Sequence, residues 1–232
     1  ILQNQVTQFG SHMFKEGSLV IPGGNAYNNQ ADYVKLSAVS STVTSAMEGK
    51  HFADATGLRA KVIKAVAAEG SDLDTFYVVY QNSNGATNAN KVFAANAALT
   101  EKVWNPSTNV YDSGTITATV TNTAETGKGA IFTQERGVFY IRGHFVIVKE
   151  AKLVLSKYTN NVSFDVGFEI TEAVTTSAED GSLNDNATGT PNYAAPGAHR
   201  YSIKTVLKTQ ANYGTTIENF LMLMRIVDGG VQ

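Results

Sequence analysis

Hydrophobic and polar residues alternate over several short stretches of the chain. Residues 163–171 (SFDVGFEIT) set Phe164, Val166, Phe168 and Ile170 against Asp165, Gly167 and Glu169. A period of two puts each set on its own face of a strand. Residues 114–123 (GTITATVTNT) repeat the pattern, with Ile116, Ala118 and Val120 between threonines, and 31–39 and 201–209 follow it more loosely. Residues 74–80 (DTFYVVY) are aromatic and β-branched and read as a strand. Short strands are also expected at 17–24, closed by Pro22-Gly23-Gly24, at 151–155 before the Thr159-Asn160-Asn161 turn, and at 217–227. Residues 58–68 (LRAKVIKAVAA) fit strand and helix spacing alike; the strand, which makes a hairpin with 74–80, is preferred.

The densest β signal is 137–148 (GVFYIRGHFVIV). It reads as one strand with a glycine bulge rather than a tight hairpin, because Arg142-Gly143-His144 is not a favoured two-residue turn. Short helices are expected at 45–52 and in the Ala-rich stretch 89–103, a turn at Lys128-Gly129-Ala130, and a loop over 81–90. Together these elements predict a mainly β chain: an antiparallel sandwich- or barrel-like domain with long ordered loops and a few short helices. Residues 1–14 form an extended N-terminal connector, and 15–232 the β module, with a candidate sub-boundary near 124–130.

Residues 177–200 stand apart. They carry no periodicity, yet hold Leu183, Tyr193 and several alanines between Pro191, Pro196 and three glycines. A flexible loop is normally charged and simple in sequence. This one is expected to be ordered, with Asp185, Asn192, Tyr193, Pro196 and Arg200 as its anchors. Asx turns satisfy backbone where no ladder exists, and the fork of Arg200 suits carbonyls or a carboxylate such as Asp185.

Composition narrows the chemistry. The 232 residues include 18 Lys+Arg and 20 Asp+Glu, a net charge of −2, with no cysteine. Without a basic excess, nucleic acid is not an expected partner. Disulfides, thiolate metal sites and a cysteine nucleophile are excluded. No stretch approaches the roughly 20 apolar residues of a membrane-spanning helix. Both ends read as cut, so a piece of a longer polypeptide is expected. His12, His51, His144 and His199 show no metal-ligand spacing, and neither a nucleophile elbow nor a phosphate-binding loop occurs. Glu169 and Glu172 fall on opposite faces of their strand, which disfavours a glycosidase pair. No catalytic residue, cofactor or metal is therefore expected, and the chain does not read as an enzyme. Trp104, Tyr111, Tyr27 and Tyr193 are the aromatics that would contact a carbohydrate if exposed.

Three segments carry a resemblance: 137–146 with 153–160 (LVLSKYTN); 180–200, with its Asn192-Tyr193-x-Ala195-Pro196-Gly197-Ala198-x-Arg200 run; and 16–23 with 32–36. Over about residues 9–208 the chain resembles an uncharacterised domain of large virion structural proteins of tailed bacteriophages. The resemblance implies a tail, baseplate or tail-fibre component in the virion, partnered by other tail proteins and by copies of itself, a trimer by analogy with fibres. It carries over no catalytic residue. A receptor-binding module contacting host surface glycans ranks second, and a glycan-cleaving enzyme third.

Overall fold

The computed structural model describes residues 2–82, 91–210 and 218–232. Among the described residues one α-helix, α1 (Leu2–Met13), precedes fifteen strands: β1 (Leu19–Ile21), β2 (Asn25–Val39), β3 (His51–Ala53), β4 (Arg59–Val66), β5 (Asp74–Asn82), β6 (Ala98–Asn105), β7 (Val110–Val120), β8 (Thr126–Gln134), β9 (Gly137–Ile141), β10 (His144–Val148), β11 (Ala151–Ser156), β12 (Phe164–Thr175), β13 (Arg200–Gln210), β14 (Phe220–Val227) and β15 (Gly230–Val231). The described pairings are antiparallel, so the chain is the mainly β, sandwich- or barrel-like protein that its alternation predicts. It divides into two compact units, residues 1–26 with 133–153 and 163–232, and residues 27–132 with 154–162.

In the second unit, Asp32–Leu36 of β2 pairs with β5, while Leu36, Ala38 and Val39 pair with β7. The order β2-β5-β4-β3-β6-β7 thereby closes on itself as a six-stranded barrel, and β8 and β11 extend the sheet from β2. Inward residues Val34, Leu36, Phe52, Phe76, Val78, Leu99 and Val120 fill the barrel. Ala31, Tyr33 and Tyr77 point the other way and are buried beneath Ile131, Val154 and Tyr158. Burial on both faces explains why 74–80 reads as an almost unbroken apolar run.

In the first unit, the sheet β1-β9-β10 faces the sheet β13-β12-β14-β15. Phe139, Ile141, Val148, Phe168 and Ile170 form the core between them, with the Phe139 ring edge-on to Phe168 at 5.3 Å.

Four local expectations are corrected. Residues 1–14 are helical as α1, not extended: Gly10 lets the helix lie against Tyr140 and Phe145, and Phe14 completes that aromatic cluster. The expected helix over 89–103 is the strand β6 from Ala98 onward. Its alternation is disguised because one inward position is a carboxylate, Glu101. The expected turn at Lys128-Gly129-Ala130 lies inside β8. Gly127 and Gly129 serve close approach there: a Cβ would fall 2.6 Å from the Tyr33 hydroxyl and 2.7 Å from the Lys157 carbonyl, respectively.

Finally, 137–148 is a hairpin, β9–β10, rather than one bulged strand. Arg142 and Gly143 both hold positive φ, 52° and 78°, as a primed two-residue turn requires. Of the expected helix at 45–52, a single 3-10 turn, Ser45–Met47, forms before β3 begins. From residue 83 on, the loop expected over 81–90 lies outside the described residues, as does Ile217 of the last expected strand.

Candidate interaction surfaces

Residues 177–200 fold back on themselves. The Asp185 N–H donates to the Ala195 carbonyl, and the Ala194 N–H donates to the Asp185 carbonyl. The Asp185 carboxylate also accepts the Ala187 N–H at 2.8 Å, an Asx turn. Asn192 contributes its carbonyl to the Ala195 N–H. Pro196 pairs with Asn184 in an isolated bridge. Gly197 must be glycine, since a Cβ would lie 2.0 Å from the Leu183 carbonyl.

Arg200 opens β13 and meets Asp180, not Asp185, through one contact of 3.4 Å. Both partners are at the surface, where water and salt screen such a pair and leave it little weight in stability. The hydroxyl and N–H of Ser182 hold Asp180 below its usual range, with Arg200 adding to the effect. Tyr193 is 57% exposed.

A second cluster, to which no sequence pattern points, centres on Arg142. Its N–H donates to both carboxylate oxygens of Glu16 at 3.0 Å. Its guanidinium bonds Asn219 at 2.6 Å and pairs with Glu172 at 3.0 Å. Tyr201 also donates to Glu172, which holds the phenol above its ordinary range. These bonds offset the cost of a left-handed Arg142, roughly 1–2 kcal/mol for a residue with a Cβ. Glu169 is paired with Lys208 instead, so the two carboxylates weighed as a glycosidase pair have different cationic partners.

Helix α1 presents a third surface. Gly10 and Phe14 face β9 and β10. Beside that docked face, Val6, Phe9 and Met13 remain 45, 59 and 63% exposed. Their spacing of three and four is that of a helix seam. The helix, LQNQVTQFGSHM, contains no Asp, Glu, Lys or Arg.

The fourth surface is on the outside of the barrel. Trp104 and Tyr111 are cross-strand partners on β6 and β7, their rings 5.1 Å apart. The His51 ring lies 5.1 Å from Tyr111, and the Arg59 guanidinium covers the Tyr111 ring at 3.8 Å. Trp104 is 48% exposed; Asn105 and Asp112, each one position off this face, bond to one another at 2.7 Å on the opposite side of the hairpin. Burial lowers the His51 pKa, as do the nearby Arg59 and Lys61, against a hydrogen bond with Gln81 that raises it. Of the other aromatics singled out in the sequence, Tyr27 is half-buried, with its hydroxyl enclosed, and Tyr193 belongs to the separate loop.

Among the described residues no group of three or more His, Asp or Glu could hold a metal, and no helix is long and apolar enough to cross a membrane. A family model described as "Domain of unknown function (DUF4815)" matches residues 82–232. No curated protein and no solved structure matches the chain.

Proposed function

The chain belongs to the DUF4815 family, a domain of unknown function, and we propose that it is a structural module of a bacteriophage tail, in the baseplate or a tail fibre, that assembles with copies of itself and with neighbouring virion proteins. The observation that carries this reading is the exposed seam Val6-Phe9-Met13 on α1. Identical copies meeting along an uncharged helix bring no like charges together. Three side chains fall well short of the roughly 1,200 Å² of a standard specific interface. A three-fold arrangement uses the seam best, because each helix then meets two others. The resemblance of 137–146 and 180–200 to virion structural proteins supplies the tail context.

Sedimentation equilibrium of the full chain tests the self-association. The expected mass is three times the 24.8 kDa of the chain. Phe9→Glu with Met13→Glu is expected to return it to one chain mass with an unchanged circular dichroism spectrum. A wild-type monomer at all concentrations, or a double variant of unaltered mass, refutes the seam. Labelling purified phage particles with an antibody against the chain tests the tail assignment; an unlabelled tail refutes it.

A second reading, contact with host surface glycans, is favoured by the exposed Trp104 across from Tyr111 on the barrel's outer face.

A further inference from the structure

Carbohydrate sites set an exposed aromatic face against a sugar ring and surround it with polar groups. The barrel's outer face around Trp104 has this form, with one feature beyond it. The antiparallel register aligns Lys61, His51 and Lys102 across β4, β3 and β6, each directly opposite the next. Opposed pairs project to the same face of a sheet. Arg59 lies two residues before Lys61 on that same face and reaches Tyr111. Three permanent cations thus lie around one aromatic pair.

None of the three forms an ion pair among the described residues. Lys102 bonds only the Ser113 hydroxyl, at 2.9 Å, and Arg59 stacks on Tyr111 with its enclosed Nε left without an acceptor. Three carboxylates of adjoining strand positions are engaged elsewhere: Glu101 is buried on Lys50, Asp54 accepts from Thr56 and Leu58, and Asp112 accepts from Asn105. In a chain of net charge −2, unpaired cations gathered around its one tryptophan create a local positive potential that favours an anion.

We infer that this face binds an acidic saccharide, one pyranose ring stacking on Trp104 and a carboxylate or phosphate substituent of the same or the next sugar meeting Arg59 and Lys102. A carboxylate or phosphate accepts two parallel hydrogen bonds from a guanidinium, which suits Arg59 better than a neutral hydroxyl does. Single-stranded nucleic acid fits less well. It needs a series of stacking platforms along a basic track, whereas here Tyr111 is covered by Arg59 and only Trp104 is open. The inference rests on the second reading above and adds the charge of the ligand to it.

Trp104 is the chain's one tryptophan, so its emission reports on this face alone. The full chain is titrated at low ionic strength with three probes: a galacturonic acid tetramer, the neutral galactose tetramer and an oligothymidylate. The acidic tetramer is expected to change Trp104 emission saturably, at least tenfold more tightly than the neutral one, and to weaken as salt is added. Lys102→Ala and Arg59→Ala are each expected to weaken it several-fold with the fold intact by circular dichroism. Lys61→Ala serves as an exposed second variant should Arg59→Ala fail to fold. Equal affinity for both tetramers overturns the acidic assignment and leaves the glycan reading standing. Saturation by neither tetramer overturns both. Tighter binding of oligothymidylate overturns the saccharide assignment in favour of nucleic acid.

Discussion

Glu101 is the side chain whose removal tests the barrel most directly. It points inward from β6, is 4% exposed, and faces the place where 114–116 of β7 oppose a single residue of β6. One carboxylate oxygen accepts from Lys50, and the other accepts the N–H groups of Thr115 and Ile116 at 3.2 Å each. Gly114 makes room for it, since a Cβ there would lie 2.5 Å from that oxygen. Glu101→Gln keeps the shape and removes the charge. If the new carbonyl retains the two backbone donors, the amide NH₂ confronts the Lys50 ammonium, donor against donor. A hydrogen bond to a charged partner is worth about 1.5–3 kcal/mol. Lys50 is one-third exposed and recovers part of this by hydration, so the expected loss is about 2 kcal/mol at pH 7.

The pH dependence gives the sharper test. Burial pushes the Glu101 pKa up, but Lys50 and the two N–H groups outweigh it and bring the net below the ordinary 4.5. A carboxylate whose folded pKa is depressed contributes stability above its unfolded pKa and loses it as pH falls through the folded value. Urea denaturation followed by circular dichroism is expected to place the Glu101→Gln midpoint about 1 M below wild type at pH 7. The gap should narrow steadily from pH 5 downward, as protonated Glu101 comes to resemble glutamine. A variant as stable as wild type at pH 7, or a gap unchanged at pH 3.5, would refute this account of the site.

Other consequences can be checked in the same way. Gly129→Ala puts a methyl 2.7 Å from the Lys157 carbonyl and 2.9 Å from the Tyr77 ring; a loss of about 2–3 kcal/mol is expected in urea unfolding. Arg142→Ala keeps the strained turn and removes its bonds to Asn219 and Glu172; about 1–2 kcal/mol and faster proteolysis near the β9–β10 hairpin are expected. Asp72 is held below its ordinary 3.8 by hydrogen bonds from Lys157 and Tyr158. Asp72→Asn should therefore cost about 1 kcal/mol at pH 7 and close on wild type as pH falls below 3.8, read from thermal midpoints.

Strands with one buried face are legible from residue order alone. In β7 the threonines between the apolar residues face out, and in β12 Asp165 and Glu169 take the face opposite the core, where Arg225 covers Asp165, so period two survives in the sequence. β5 is legible too, from its aromatic and β-branched content, whereas 58–68 fits helix and strand spacing alike and its pairing with β5 decides it. Among the candidate surfaces, Trp104 and Tyr111 can be named from composition, and 177–200 from its lack of period. Arg142 cannot, because its partners Glu16, Glu172 and Asn219 are scattered along the chain.

What the sequence by itself determined is the class of the protein: antiparallel β, without thiol chemistry, near neutrality. Residue type and local period carry that information, and no distant contact is needed to read it. Only the tertiary structure decided the rest. α1 is helical because Tyr140 and Phe145 offer Gly10 and Phe14 a place to dock. The glycines of β8 look like a turn until Tyr33 and Lys157 are seen to occupy the space of their missing side chains. Arg142 enters a left-handed turn because three remote polar groups hold it there. Arg59, His51, Lys102 and Trp104 form one surface because strand pairing sets β4, β3, β6 and β7 side by side in the sheet. Each of these depends on residues far apart in the chain, and local propensity is too weak to register them.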